Sequence, residues 1–262
     1  IRTTLHSYCF DDWNIILSQV VNVETWFSKK LKKQGIQVEN LIKQAIDILS
    51  EVDYFDRDYL IKGGIPKKYL GSWGDLLIEL NNRGYICNSV NGNWGEKRVY
   101  KNTKKYFEKI RRQDFQINEK KKQYIAIRYF SAYGPATIRD SAHWVGVSIG
   151  QANNYINTIK EKLKTIIYEN QYYYILHSDY KRCEEVYYKF RATNQCWLLP
   201  KFDPLLLAYE DKQWISEKNY QKYIWKIAGH VEGVVVQNWK AIAIWKYTLD
   251  KETIKFDIVL FD

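Results

Sequence analysis

With 262 residues, 46% of them hydrophobic and 16% aromatic, the chain has the composition of two or three compact units and not that of a disordered polypeptide. No stretch approaches the ~20 apolar residues of a membrane span and the N-terminus lacks the charged-then-apolar pattern of a secretory leader, which predicts a cytoplasmic protein without a membrane partner. The formal charge of +10 and the pI near 9.2 point to a polyanionic partner.

An AT-rich coding bias would also enrich Lys, so the distribution of charge carries the argument. Residues 1–115 hold 19 Lys+Arg against 14 Asp+Glu, residues 116–190 hold 11 against 7, and residues 191–262 hold 10 against 9. The excess lies where the helical patterns lie. Residues 1–24 read as the remnant of a first domain, with Ile1 to Tyr8 a lone strand. In residues 25–115, Leu41, Ile42, Ala45, Ile46 and Leu49 recur at helical spacing and predict a helix over 37–50. Phe55 to Ile61 reads as a second helix ended by Gly63-Gly64. After a turn carrying Pro66, Lys67 and Lys68, Ser72 is placed to cap a third helix facing inward through Leu76, Leu77 and Leu80, closed by Gly84. Tyr85 to Val90, the turn Asn91-Gly92-Asn93, and Lys97 to Tyr100 then form a hairpin.

Residues 116–192 repeat that order. A helix carrying Tyr124, Ile127, Arg128, Phe130 and Ala132 stops at Tyr133-Gly134-Pro135. Thr137 opens the next helix in a capping box with Asp140, and Ser148 caps another whose stripe is Ala152, Tyr155, Ile156, Ile159 and Leu163. Thr165 to Tyr168 and Tyr172 to Leu176 supply a second hairpin across Glu169-Asn170-Gln171. Three helices followed by a hairpin is the order of a winged helix, whose third helix usually enters the major groove. From about 193 the pattern turns to strands: Gly233 to Gln237, Ala241 to Tyr247 around Asn238-Trp239-Lys240, and Ile254 to Phe261. Residues 193–262 therefore read as a small sheet or barrel. The fold class is α+β, tandem winged helices followed by a β-rich, barrel-like domain.

Tyr129-Phe130-Ser131-Ala132-Tyr133-Gly134-Pro135-Ala136-Thr137, with Asp140 and Trp144-Val145-Gly146, resembles the AlkZ-type winged-helix DNA glycosylase family. So do Leu198-Leu199-Pro200-Lys201-Phe202-Asp203-Pro204-Leu205-Leu206-Leu207-Ala208-Tyr209 with Asp211, and Arg2-x-Thr4-Leu5-His6. The resemblance implies a double-stranded, damaged DNA partner and excision of alkylated or crosslinked bases by hydrolysis of the N-glycosidic bond. It also implies a catalytic Gln-x-Gln or Gln-x-Asp pair upstream of the segment at Arg2 to His6. Gln37-Val38-Glu39 has a similar look but opens a helix in the next domain, and is set aside as coincidence. A non-enzymatic DNA-binding regulator or accessory factor is the alternative.

The candidate DNA contacts follow from exposure and chemistry. Gln151, Asn153 and Asn154 present amides suited to adenine, and Lys160 an ammonium suited to phosphate, on the polar side of the last helix; an ordinary solvated face has the same composition. Lys67, Lys68, Lys97 and Arg98 suit phosphate contacts that ignore sequence. Arg2 and His6 stand in the family-like segment, where His6 either positions a phosphate or water or bonds to backbone. Trp239 and Lys240 either probe a groove or simply turn a hairpin. Asp203 before Pro204 reads as the start of a turn rather than a catalytic acid. Cys9, Cys87, Cys183 and Cys196 and the four histidines, His6, His143, His177 and His230, show no metal-ligand spacing, so neither metal nor cofactor is expected.

Overall fold

The computed structural model describes residues 12–21, 23–71, 75–89, 98–103, 115–190, 195–250 and 253–261, excepting the side chains of residues 184, 187–190 and 228. The chain divides into two compact units, residues 1–118 and 119–262. Unit 1 carries α1 (Trp13–Val20), α2 (Trp26–Lys33), α3 (Val38–Ile48), β1 (Tyr54–Phe55), α4 (Arg57–Lys62), α5 (Asp75–Asn82), β2 (Ile86–Asn88) and β3 (Tyr100–Asn102). Leu41, Ile42 and Ala45 turn inward from α3 as their spacing predicts, and join Phe27, Leu31, Leu60, Leu76, Leu77 and Leu80 in one core. Burying such side chains stabilises by roughly 1.5–3 kcal/mol each.

The second predicted helix starts later than its sequence suggests. The Asp56 side chain accepts the Tyr59 N–H at 2.9 Å and so caps α4, leaving Phe55 extended. Phe55 pairs with Tyr100 in the ladder and stacks on its ring, and β3 lies between β1 and β2. Gly64, at φ +105, follows α4, where a left-handed residue needs no Cβ penalty. Ser72 and the turn 91–93 lie outside the described residues.

Unit 2 opens with α6 (Glu119–Tyr133), α7 (Ile138–Val145) and α8 (Ile149–Asn157), followed by β4 (Leu163–Tyr168), β5 (Gln171–Leu176) and α9 (His177–Phe190). The expected capping box of Thr137 with Asp140 is present on α7, and the expected Ser148 cap of α8 proves to be a capping box with Gln151. Glu169 and Asn170 both take positive φ, +48° and +59°, the hand of turn that matches strand twist in a two-residue hairpin. Ala136 bridges to Tyr174 of β5 just ahead of α7, the position β1 occupies ahead of α4.

The remaining elements are β6 (Cys196–Leu199), α10 (Pro204–Leu207), α11 (Lys218–Ile224), β7 (Gly233–Gln237), β8 (Lys240–Asp250) and β9 (Thr253–Leu260). Their strands form one antiparallel sheet in the order β6-β7-β8-β9. Of the sheet or barrel expected, the described residues form the sheet and no closed barrel. Among the described residues β6 and β9 are the edges of an open sheet, four strands being too few to curl back on themselves. Leu206, Ile215, Ile224, Val231, Val234 and Val236 fill the covered side. Gly233 sits where a Cβ would meet Trp245 at 3.0 Å; the bare backbone lets the Trp245 indole donate to the Leu199 carbonyl at 2.8 Å. Asp203 caps α10 by accepting the Leu205 N–H at 2.9 Å, the turn role read from its sequence.

Candidate nucleic-acid interface

On α8, Ala152, Tyr155 and Ile156 are buried, and Ile159 and Leu163 continue that stripe beyond the helix. Beyond Ile149 and Gly150 of the first turn, what remains outward is polar. Asn153, Asn154 and Asn157 are exposed at i, i+1 and i+4, a single stripe one helical turn long. Asn157 was missed by sequence reasoning, although its spacing from Asn153 is the signal that finds it. Gln151 is exposed but partly engaged. Its Oε1 accepts the Ser148 N–H at 3.0 Å and faces the Ser148 hydroxyl at 3.1 Å, leaving its amide N–H groups for a ligand. Lys160 and Lys162 stand exposed in the helical turn Lys160–Lys162 that follows.

In unit 1, Lys67 and Lys68 are exposed in the helical turn Lys67–Tyr69, and Arg98 is exposed just before β3. The Lys68 ammonium lies 4.9 Å from the Tyr69 ring centroid, a cation–π contact that props its stem. Arg2, His6 and Lys97 lie outside the described residues. Glu39 does not resemble a reacting group: it meets Arg83 at 2.8 Å, and Arg83 also reaches Glu79 at 3.4 Å. Glu79, buried on α5, accepts the hydroxyls of Thr25 and Ser28 at the start of α2. These groups tie α2, α3 and α5 together.

At the hairpin tip between β7 and β8, Asn238 and Trp239 take positive φ. Trp239 is half exposed and packs 5.2 Å from Trp197. The Lys240 ammonium donates to the carbonyls of Gln213 and Trp214, both at 3.1 Å, so most of its hydrogen-bonding capacity anchors the turn. A separate cation cluster surrounds buried Glu232, with Lys201 at 3.5 Å, His230 at 3.6 Å and Lys246 at 3.7 Å. Burial pushes the Glu232 carboxyl up, but Lys201, Lys246 and His230 outweigh it and hold the group below its ordinary value.

The two motif-bearing segments of unit 2 meet in a buried joint. Tyr129 donates its hydroxyl to the Ala208 carbonyl at 3.2 Å, and Tyr209 donates to the Tyr133 carbonyl at 2.8 Å. One Asp140 oxygen accepts the Thr137 N–H at 2.9 Å while the other accepts the Glu210 N–H at 2.8 Å. Burial, and next the Asp140 charge, push both phenols well above the ordinary range, so they remain donors. Trp144 packs against Tyr129 and Tyr133. These residues position α7 against the 203–211 segment, and none is arranged as an acid–base pair.

A family model for AlkZ-like proteins, described as DNA glycosylase AlkZ-like, matches residues 1–261. A curated relative, the interstrand DNA cross-link repair glycosylase of Streptomyces sahachiroi, is 24% identical over 273 residues, which cover 97% of this chain and 70% of the relative. The solved structure of Streptomyces sahachiroi DNA glycosylase AlkZ is similar with a TM-score of 0.75 at 20% identity, covering 100% of this chain and 71% of that one. The likeness is one of fold, mixed α and β.

Proposed function

The chain belongs to the AlkZ-like DNA glycosylase family, and from that premise we propose that it grips damaged double-stranded DNA and excises alkylated or crosslinked bases by hydrolysing the N-glycosidic bond. The observation that carries the reading is the family match over residues 1–261. The relative from Streptomyces sahachiroi, named for interstrand cross-link repair, supports crosslinked duplex as the lesion class.

The grip is assigned to two winged-helix units, residues 25–115 and 116–192. Each contains the succession helix, short strand contact, two helices and two strands, with β1 in the first and the Ala136 bridge in the second; α2 precedes the succession in the first and α9 follows it in the second. The exposed asparagine stripe of α8, with Lys160, is placed against base edges and adjoining phosphate, while Lys67, Lys68 and Arg98 neutralise phosphates. Hydrolysis of this kind needs a positioned water and groups aimed at the developing sugar cation, and we assign those to the family's glutamine pair upstream of the Arg2-to-His6 segment, without metal or cofactor.

The test is base release from duplex carrying N7-alkylated or crosslinked purine under single turnover. The complete protein should release base, and replacing each residue of the pair should slow release by about 10²–10³. Tight binding to the damaged duplex with no release would contradict the reading.

A further inference from the structure

Among the described residues, strand β9 is the outermost strand of the unit 2 sheet, and all eight of its residues are exposed. Because successive side chains alternate between faces, Ile254, Phe256, Ile258 and Leu260 share one face. Their cross-strand partners on β8 are Leu249, Tyr247, Trp245 and Ala243. Trp245 stacks with Tyr247 at 6.1 Å between centroids and lies 5.9 Å from Phe256. Tyr247, Leu249 and the four β9 residues are each more than half exposed. Lys255 and Asp257 point to the opposite face.

The backbone decides which groups at this edge are unspent. Phe261 N–H donates to the Ile242 carbonyl at 2.9 Å. By the alternation of an antiparallel ladder, the odd-numbered residues of β9 bond to β8, and the N–H and C=O groups of Ile254, Phe256, Ile258 and Leu260 point outward. A long apolar edge of this kind accepts another strand unless something blocks it.

We infer that β9 pairs antiparallel with β9 of a second copy about a two-fold axis through Phe256, joining the two four-stranded sheets. Charge sets the register. On this axis Lys255 of each copy stands opposite Asp257 of the other, Ile254 opposite Ile258, and Phe256 opposite its counterpart. An axis through Lys255 opposes two lysines, and one through Asp257 opposes two aspartates. Axes through Ile254 or Ile258 set Lys255 against Thr253 or Phe261, with no acid opposite. The Phe256 axis also places the outward-pointing residues as the pairs that exchange both backbone hydrogen bonds. A single strand pair of this length buries less than the ~1,200 Å² of a stable interface, so the dimer is reversible and grows with concentration.

Sedimentation velocity of the purified chain across a concentration series tests this. The wild type shows a reversible monomer–dimer equilibrium. Lys255→Asp and Asp257→Lys each weaken it by about tenfold, since a charge pair directly opposite contributes ~0.2–1 kcal/mol, a like pair costs a similar amount, and symmetry applies the change twice. The double variant Lys255→Asp/Asp257→Lys restores the dimer to within about threefold. Phe256→Pro removes an outward N–H without touching the ladder to β8, and abolishes the dimer. All three substitutions are on an exposed edge, and a cooperative thermal transition checks that each variant is folded, with a lower midpoint expected for Asp257→Lys because its partner on β8 is Lys246. A chain that stays monomeric at every concentration overturns the inference, as it would if the edge served another protein's strand. A dimer that the single reversals do not weaken, or that the double variant does not restore, overturns it equally.

Discussion

Helices α5 and α8 occupy the same place in two similar successions of elements, yet their surfaces differ completely. Along α5, Asp75, Leu76, Leu77, Glu79 and Leu80 are buried and Ile78, Asn81 and Asn82 are half-buried, so no residue of the helix is exposed. Along α8, Gln151, Asn153, Asn154 and Asn157 all reach solvent. A helix buried on every side holds a unit together and has no face to offer a groove, whereas a helix buried on one side can do both. Repetition of a local order therefore does not imply repetition of a role. On our reading α8 reads the duplex, while unit 1 contributes only the phosphate contacts of its loops.

Leu80 is fully buried on α5. Leu80→Ala should cost ~2–5 kcal/mol in urea unfolding, from lost transfer energy and the cavity left behind. DNA affinity of the protein that remains folded should be unchanged; a selective loss of affinity would mean α5 contributes to recognition. A smaller effect is expected from Lys67→Ala/Lys68→Ala/Arg98→Ala. Stability should hold, and the log–log salt slope of duplex binding should flatten by roughly 0.9 for each phosphate contact removed. An unchanged slope would take these residues out of the interface.

Much of this contrast is legible in the sequence. The spacing of Ala152, Tyr155, Ile156 and Ile159 orients α8, and the Ser148 cap places its start, because both signals are local. Asp140 announces its cap for the same reason. Its second bond, to Glu210, is invisible, since nothing local says that two motif-bearing segments 70 residues apart meet. β1 is hidden likewise: two residues carry no periodicity, and Phe55 becomes a strand only because Tyr100 arrives beside it. The burial of Glu79 runs against its residue type and depends on the hydroxyls of Thr25 and Ser28. For the last strands, alternation predicts the ladder but not whether its edges close, so it leaves a sheet and a barrel as alternatives, and among the described residues the sheet is open. α9 is not among the helices expected from the sequence.

On our reading α8 carries the face that meets DNA, and the duplex affinity of Asn153→Ala/Asn154→Ala/Asn157→Ala tests it. These exposed positions should each change stability by no more than ~0.5 kcal/mol. Titration of the folded triple variant against alkylated duplex at fixed salt should give about tenfold weaker binding, the scale of one lost amide–base contact worth ~1–3 kcal/mol. Affinity equal to that of the unmodified protein would contradict the account.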